Sequence, residues 1–338
     1  MTNRDVIVVG ASAGGVEAMR VLCAGLPADL PAAVLMVLHM PRASPSALPS
    51  ILGRVAKLPV TAALDGEPLR RGRIYIAPVD RHLLVIGNRI RLSAGPAENG
   101  HRPAIDPLFR SAASSLGKRV IGVVLSGSRD DGSAGLGSIV RRGGVGVVQD
   151  PDDALYPWMP IAAMAAAKTE HVVPVETMGP LLAKLTQDDV TGSGPPSGSL
   201  DEIPAGKHID PEAAMTRVSS LPEREHKDAS PAGYGCPSCG GSLFQIDDGV
   251  VPRYRCRIGH AWSPETLLDE QAAALESALW VALRALEEKA DLSHRLARRN
   301  LDLGNKHAAA RFQALFDDSS RSASVVRDLI DRMGPPAA

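Results

Sequence analysis

Three side chains with the chemistry for acyl transfer stand just beyond apolar, β-branched runs: Ser12 after Val6–Val9, His39 after Ala33–Leu38, and Asp131 after Val120–Leu125. In open α/β sheets, ligands and reactive groups collect at the carboxyl ends of parallel strands. If these runs are neighbouring strands, a hydroxyl, an imidazole and a carboxylate meet at one edge, which is the inventory of a nucleophilic triad. Gly10-x-Ser12-x-Gly14 fits a sharp strand-to-helix turn that exposes the serine oxygen. Such a turn also holds dinucleotides and phosphates, but a dinucleotide site wants an acidic residue about 20 positions on. Here the second run ends instead in His39-Met40-Pro41. The order Ser, His, Asp departs from that of α/β-hydrolases, so the triad belongs on another sheet topology. Each residue taken singly has a plainer reading, as a small turn residue, a helix cap or an Asp-Gly turn. Their shared position at three strand ends favours chemistry.

A second cluster points to a metal. Cys236-x2-Cys239 and Cys256-x3-His260 offer four ligands in two close pairs, the donor set of a closed tetrahedral zinc site. Gly235, Gly240, Gly241 and Gly259 let the backbone wrap the ion. A structural zinc would organise a segment too short for a core of its own. The fourth cysteine, Cys23, lies at helical spacing with Met19 and Leu26 and reads as core.

The elements that must position these groups follow from periodicity. Residues 5–186 alternate continuous apolar runs, including Val145–Val148 and Val172–Val175, with helix-like stretches from Gly15 and from about Ser133. Strands buried on both faces read this way, so the expected fold is α/β, doubly wound around a mostly parallel sheet. Ile74–Ala77, His82–Ile86, the Gly87-Asn88 turn and Arg89–Leu92 read as an antiparallel hairpin inserted into that pattern. Residues 188–231, rich in Gly, Ser, Pro and charge, read as a flexible linker. The expected layout is therefore a catalytic domain over 1–187, a zinc module over 232–263 and a helical tail over 264–333. The tail starts at Ser263-Pro264, an N-cap followed by proline. Leu268, Leu275, Leu279, Ala282 and Leu286 then recur at a/d spacing. After a break at Gly304-Asn305, Phe312, Leu315, Val326 and Leu329 form a weaker stripe; a helical hairpin and a dimerising coiled coil both satisfy the pattern.

Composition narrows the partners. With 37 basic and 38 acidic residues, the chain has a net charge of -1 and lacks the basic footprint of a nucleic-acid binder. No apolar run approaches the roughly 20 residues of a membrane span, and the first residues do not form a secretory signal. A cytoplasmic location is the expectation.

With these residues in view, the sequence resembles the catalytic domain of the CheB chemotaxis receptor methylesterases. The resemblance covers roughly residues 5–186 and rests on Gly10-Ala-Ser-Ala-Gly-Gly15, Leu38-His-Met-Pro41, Gly72-Arg-Ile-Tyr-Ile-Ala-Pro78, Arg102-Pro-Ala-Ile-Asp106 and Asp131-Gly132. It implies that Ser12 is a nucleophile, His39 its base and Asp131 the orienting carboxylate. It also implies hydrolysis of glutamyl methyl esters on the cytoplasmic helices of methyl-accepting receptors, and often deamidation of glutamine at the same sites. No cofactor is implied for catalysis. The Ala13 N–H, at the start of the following helix, is the first candidate for an oxyanion donor. Two departures stand out: the receiver domain that begins many family members is not in this chain, and the family's Gly-Met-Gly-Asn is replaced by Gly127-Ser128-Arg129-Asp130.

The remaining expectations concern single residues. Asp106, before Pro107, reads as the N-cap of a helix ending near Leu116. His101 could flank the site, although Glu98, Asn99 and Gly100 look like exposed loop, and Asp130 is expected to face solvent. Tyr156, Trp158 and Met159 either line a substrate groove or anchor a loop. The tail could carry a signalling or methyltransferase partner or a second copy. Two alternatives remain open at this level: an esterase for another protein ester, and a scaffold of esterase fold without activity.

Overall fold

A computed structural model describes residues 3–41, 46–190, 230–247 and 251–333. The chain divides into two compact units, 1–267 and 268–338. Most of the expected linker, residues 191–229, lies outside the described residues.

The first unit is built on seven strands: β1 (Val6–Ala11), β2 (Ala33–Leu38), β3 (Val60–Ala62), β4 (Arg73–Ile76), β7 (Val120–Val124), β8 (Val145–Gln149) and β9 (His171–Val173). They lie in the order β3-β4-β2-β1-β7-β8-β9 and pair in parallel throughout. The run Ile74–Ala77, expected in a hairpin, thus supplies β4 beside β2 in the parallel sheet. The antiparallel hairpin is made only of β5 (His82–Ile86) and β6 (Arg89–Ser93). Val175, expected at a strand end, opens a helix instead, since Pro174 supplies the fixed φ suited to a helix start.

Six helices cover the sheet: α1 (Gly15–Gly25), α2 (Leu48–Gly53), α3 (Ile105–Leu116), α4 (Ser133–Arg141), α5 (Trp158–Ala167) and α6 (Val175–Leu185). Alternate residues of each strand point to opposite faces. Ile7, Val9 and Ala11 join α1, α2 and α6 in one core, where Cys23 is fully buried. Val6 and Val8 join α3, α4, α5 and the hairpin in the other. With both faces covered, every residue of β1 and β2 is buried, which is why these runs are apolar without alternation.

The Cys/His module is a four-stranded antiparallel sheet: β10 (Ser230–Gly235), β11 (Ser242–Ile246), β12 (Arg253–Cys256) and β13 (Ala261–Trp262). It packs on the α/β layers within the first unit: the Ala261 N–H donates to the Ala97 carbonyl (3.4 Å) and the Asn99 N–H to the Ala261 carbonyl (2.8 Å). The residues predicted to be a zinc module on a linker are therefore part of the same compact body as the parallel sheet.

Helix α7 (Pro264–Asp302) starts where the N-cap rule places it, with the Thr266 N–H donating to Ser263 Oγ at 3.2 Å. The second unit consists of the remainder of α7 and of α8 (Lys306–Met333), separated by a turn at Gly304 with φ 74°. The buried stripe on α7 runs through Leu283, Ala290, Ser293 and Ala297, whereas Leu268 and Leu275 of the expected stripe are exposed. On α8 it runs through Ala309, Ser319 and Ala323. Small side chains let the helices approach, and a Glu287–Arg327 ion pair and the His294–Phe316 ring contact cross between them. Among the described residues, no helix is long and apolar enough to cross a membrane.

Candidate active site

Strand order reverses at β1: the chain leaves it toward β2 on one side and returns to β7 on the other. A crevice opens at such a switch point, beyond the carboxyl ends of the strands. Hydrogen bonding carries the sheet register past the strand ends, from the His39 N–H to the Ala11 carbonyl (3.2 Å) and from the Ser12 N–H to the Ser126 carbonyl (3.0 Å). Ser12, His39 and the β7 loop are thereby fixed by backbone at the same height. Gly14, with φ 71°, makes the turn into α1; an added Cβ would meet Ser126 Oγ at 2.7 Å, so this position demands glycine.

His39 bridges the other two. Its Nδ1 lies 3.1 Å from Ser12 Oγ and its Nε2 lies 2.7 Å from Asp131 Oδ2. Burial by itself would raise the pKa of Asp131, but the hydrogen bond and charge of His39, the Ile105 N–H and the Asn99 amide outweigh it and hold the carboxyl below the usual carboxylate range. An ionised Asp131 only accepts, so Nε2 carries the imidazole proton and Nδ1 presents its lone pair to Ser12. The sequence-predicted Ser12, His39 and Asp131 are thus brought together in one relay.

Asp131 also serves as a remote cap. Its oxygens accept the N–H groups of Ile105 (2.7 Å) and Asp106 (3.2 Å), two orphan donors of the first turn of α3. A negative charge is stabilised at that helix end. Asp106 is not the N-cap; that place falls to Ala104. Asp106 lies inside the first turn, fully buried, accepting from the Gly135 N–H at 2.7 Å and facing Arg110 at 3.6 Å. Burial and the nearby Asp131 charge push its carboxyl up to about 7, against the attraction of Arg110.

Two further expectations are corrected, the exposure of Glu98 and Asn99 and that of Asp130. Glu98 and Asn99 are buried. Asn99 Nδ2 donates to Asp131 Oδ1 at 2.9 Å, and Glu98 pairs with Arg110 at 2.7 Å. Asp130 does not face solvent: its Oδ1 accepts from Ser263 Oγ (2.6 Å) and Thr266 Oγ1 (2.9 Å). His101 stacks on His39 with ring centroids 3.7 Å apart. Nothing local in the sequence marked Asn99, because its partners come from segments 32 and 164 residues away.

The segment containing Tyr156 anchors the loop after β7. The Gly127 N–H donates to the Tyr156 carbonyl (3.0 Å), the Met159 N–H donates to the Gly127 carbonyl (2.9 Å), and Met159 is fully buried. A Cβ at Gly127 would meet Met159 Sδ at 2.5 Å and Ser12 Cβ at 3.0 Å, so the small residue lets this loop approach the serine. The side chains of Leu155, Tyr156, Trp158 and Ile161 are exposed beside it.

In the module, the ligand atoms of Cys236, Cys239, Cys256 and His260 all lie within 4.8 Å of one another. Cys239 Sγ to Cys256 Sγ is 3.7 Å, and His260 Nδ1 is 3.7 Å from Cys236 Sγ and 3.6 Å from Cys256 Sγ. A tetrahedron with Zn–S bonds of about 2.3 Å has edges of about 3.7 Å. The donor set fits zinc in number, type and spacing.

A doubly wound parallel sheet with a Ser-His-Asp relay at its switch point is the arrangement of a serine-nucleophile hydrolase. The family model described as CheB methylesterase matches residues 7–182, and the chain belongs to that family. A protein-glutamate methylesterase/protein-glutamine glutaminase of Xanthomonas campestris is 38% identical over 189 residues, covering 55% of this chain and 52% of the relative. One from Geobacter metallireducens is 38% identical over 181 residues, covering 52% and 51%. The chain spans about half the length of these curated relatives. The crystal structure of the Thermotoga maritima CheB methylesterase catalytic domain superposes with a TM-score of 0.51 at 29% identity, covering 54% of this chain and 98% of that one.

Proposed function

We propose that this chain is a protein-glutamate methylesterase that hydrolyses glutamyl methyl esters on the cytoplasmic helices of methyl-accepting chemotaxis-type receptors, and that it deamidates glutamine at such sites. The single observation carrying this reading is His39, held between Ser12 Oγ and Asp131 at 3.1 and 2.7 Å. His39 Nδ1 takes the Ser12 proton as the oxygen attacks the ester carbonyl, while Asp131 orients the ring and stabilises the imidazolium. The Ala13 N–H, beside Gly14 at the N-terminus of α1, is the proposed donor to the oxyanion. His39 then gives that proton to the departing methoxide oxygen, which leaves as methanol, or to the amide nitrogen, which leaves as ammonia, and a water molecule repeats the sequence on the acyl-serine to release glutamate. The exposed apolar side chains of Leu155, Tyr156, Trp158 and Ile161, on the segment that anchors the Gly127 loop, suit the apolar stripe of an amphipathic helix.

The proposed setting is the cytoplasm. In the module, zinc is the proposed metal, with Cys236, Cys239, Cys256 and His260 as its ligands. Filling all four positions leaves it a structural role, and no step of the hydrolysis passes through it.

The test is methanol release from methylated receptor fragments. Ser12→Ala should abolish it in a chain that still folds; release at the original rate would overturn the nucleophile assignment. Activity confined to another esterified protein would move the substrate and leave the chemistry in place.

A further inference from the structure

The Cys/His module closes over the carboxylate end of the relay, and the contacts are specific. Asn99 Nδ2 donates to Asp131 Oδ1 (2.9 Å), while its Oδ1 accepts the N–H of Ser263 (2.8 Å). Its own backbone N–H is tied to Ala261 (2.8 Å). One residue from Asp131, the buried Asp130 carboxylate accepts two hydroxyls from the first turn of α7, Ser263 Oγ and Thr266 Oγ1. A third tie, the buried Glu98, lies 2.7 Å from Arg110 of α3 and 3.7 Å from Arg255 of the module. Gly259 meets Pro96 so closely that an added Cβ would sit 3.1 Å from the proline ring.

We propose that Ser263 and Thr266 are positioning residues of the esterase site: their hydroxyls hold Asp130, the Ser263 N–H holds Asn99 and through it Asp131, and the Cys/His module with the start of α7 is thereby a brace for the relay rather than an appendage. The physical reason is desolvation. Asp130 and Asp131 are adjacent buried carboxylates, and each stays in place only while donors face it. Asp131 draws donors from α3 and from Asn99, whereas the Asp130 carboxylate accepts from the hydroxyls of Ser263 and Thr266, where the module runs into α7. Without them Asp130 would seek water or a proton, and the backbone that carries Asp131 would move with it. This proposal rests on the esterase reading of Ser12, His39 and Asp131.

The experiment uses the full zinc-loaded chain and the double variant Ser263→Ala/Thr266→Ala. Against methylated receptor, kcat should fall about tenfold to a hundredfold, the scale of a misplaced catalytic group, with KM nearly unchanged. The acidic limb of the pH–rate profile should shift, because the charges acting on Asp131 include those of His39, His82, His101, Asp106 and Asp130, with Arg129 acting on His101, and the variant removes the donors to Asp130. Adding Asp130→Asn removes the carboxylate that lost its donors and should recover most of kcat. The downfield proton resonance of the His39–Asp131 hydrogen bond provides a substrate-free readout: it should broaden or move in the double variant and return in the triple variant. Wild-type kcat and an unmoved resonance in the double variant would overturn the proposal, as would a lowered kcat without recovery in the triple variant. If the wild-type chain releases no methanol while the resonance behaves as expected, the substrate reading fails and the brace stands.

Discussion

The imidazoles of His39 and His101 lie face to face, with ring centroids 3.7 Å apart and planes within 10°. His101 can stack so closely because it is uncharged: burial, reinforced by the His39 charge, pushes its pKa down to about 4 against the pull of Asp131. His101→Phe keeps a flat ring and should retain activity within a few-fold, with an unchanged profile above about pH 5. His101→Ala should lower kcat by opening one face of His39 to water. A displaced acidic limb in His101→Phe would show that His101 carries charge in the working range.

Asp131→Asn should lower kcat by about 10³–10⁴-fold with KM little changed, because an amide can donate to Nε2 and so stabilise the wrong imidazole tautomer. Its carbonyl oxygen, in the place of Oδ1, still accepts the Asp106 N–H and the Asn99 amide, and only the Ile105 N–H loses its acceptor, so thermal unfolding should move less than activity. Steady-state kinetics beside a melting curve separate the two effects.

Asp106 sets a pH dependence of stability with a definite sign. Its folded carboxyl titrates at about 7, above the unfolded value of 3.8. Between those pH values the folded chain holds a proton that the unfolded chain has released, so this group's contribution to stability falls as pH rises through the window. Asp106→Asn removes the effect and keeps an acceptor for the Gly135 N–H. Relative to wild type, its melting temperature should rise between pH 5 and pH 8; a constant difference would refute the assignment.

The purified chain should carry one zinc per molecule by elemental analysis, and Cys256→Ser should lose it. Because the module shares a compact body with the sheet, chelation should lower the melting temperature of the whole first unit rather than unfold an independent segment. An unchanged melting curve on loss of the metal would count against that coupling.

Gly14→Ala should be costly at one turn. The residue has φ 71°, and its Cβ would press on Ser126 Oγ, which itself donates to the Ala13 carbonyl at 2.8 Å. A loss of about 1 kcal/mol or more in stability is expected from the backbone strain alone, together with a fall in kcat; denaturant titration and kinetics check the pair.

Much of the architecture was legible along the chain because it rests on local signals. Continuous apolar runs mark strands buried on both faces, the Gly-rich turn marks where α1 must start, and the reactive side chains directly follow those runs. The Cys and His spacing likewise marks four candidate ligands, whose donor atoms the fold brings within 4.8 Å of one another. Where local signals compete, sequence reading slipped: Ile74–Ala77 suits a hairpin as well as a parallel strand, and Asp106-Pro107 looks like a cap although Asp131 supplies that function from 25 residues away.

The sequence alone determined which groups could react and which strands would carry them, because strand burial and turn chemistry are written within a few residues. Only the tertiary structure decided that Asn99 joins Asp131 to Ser263, that Asp130 is buried under Ser263 and Thr266, and that His101 lies on His39. Polar groups of this kind show no periodicity. They are tolerated in the interior only where partners from distant segments satisfy them, and that condition is met only once the chain has folded.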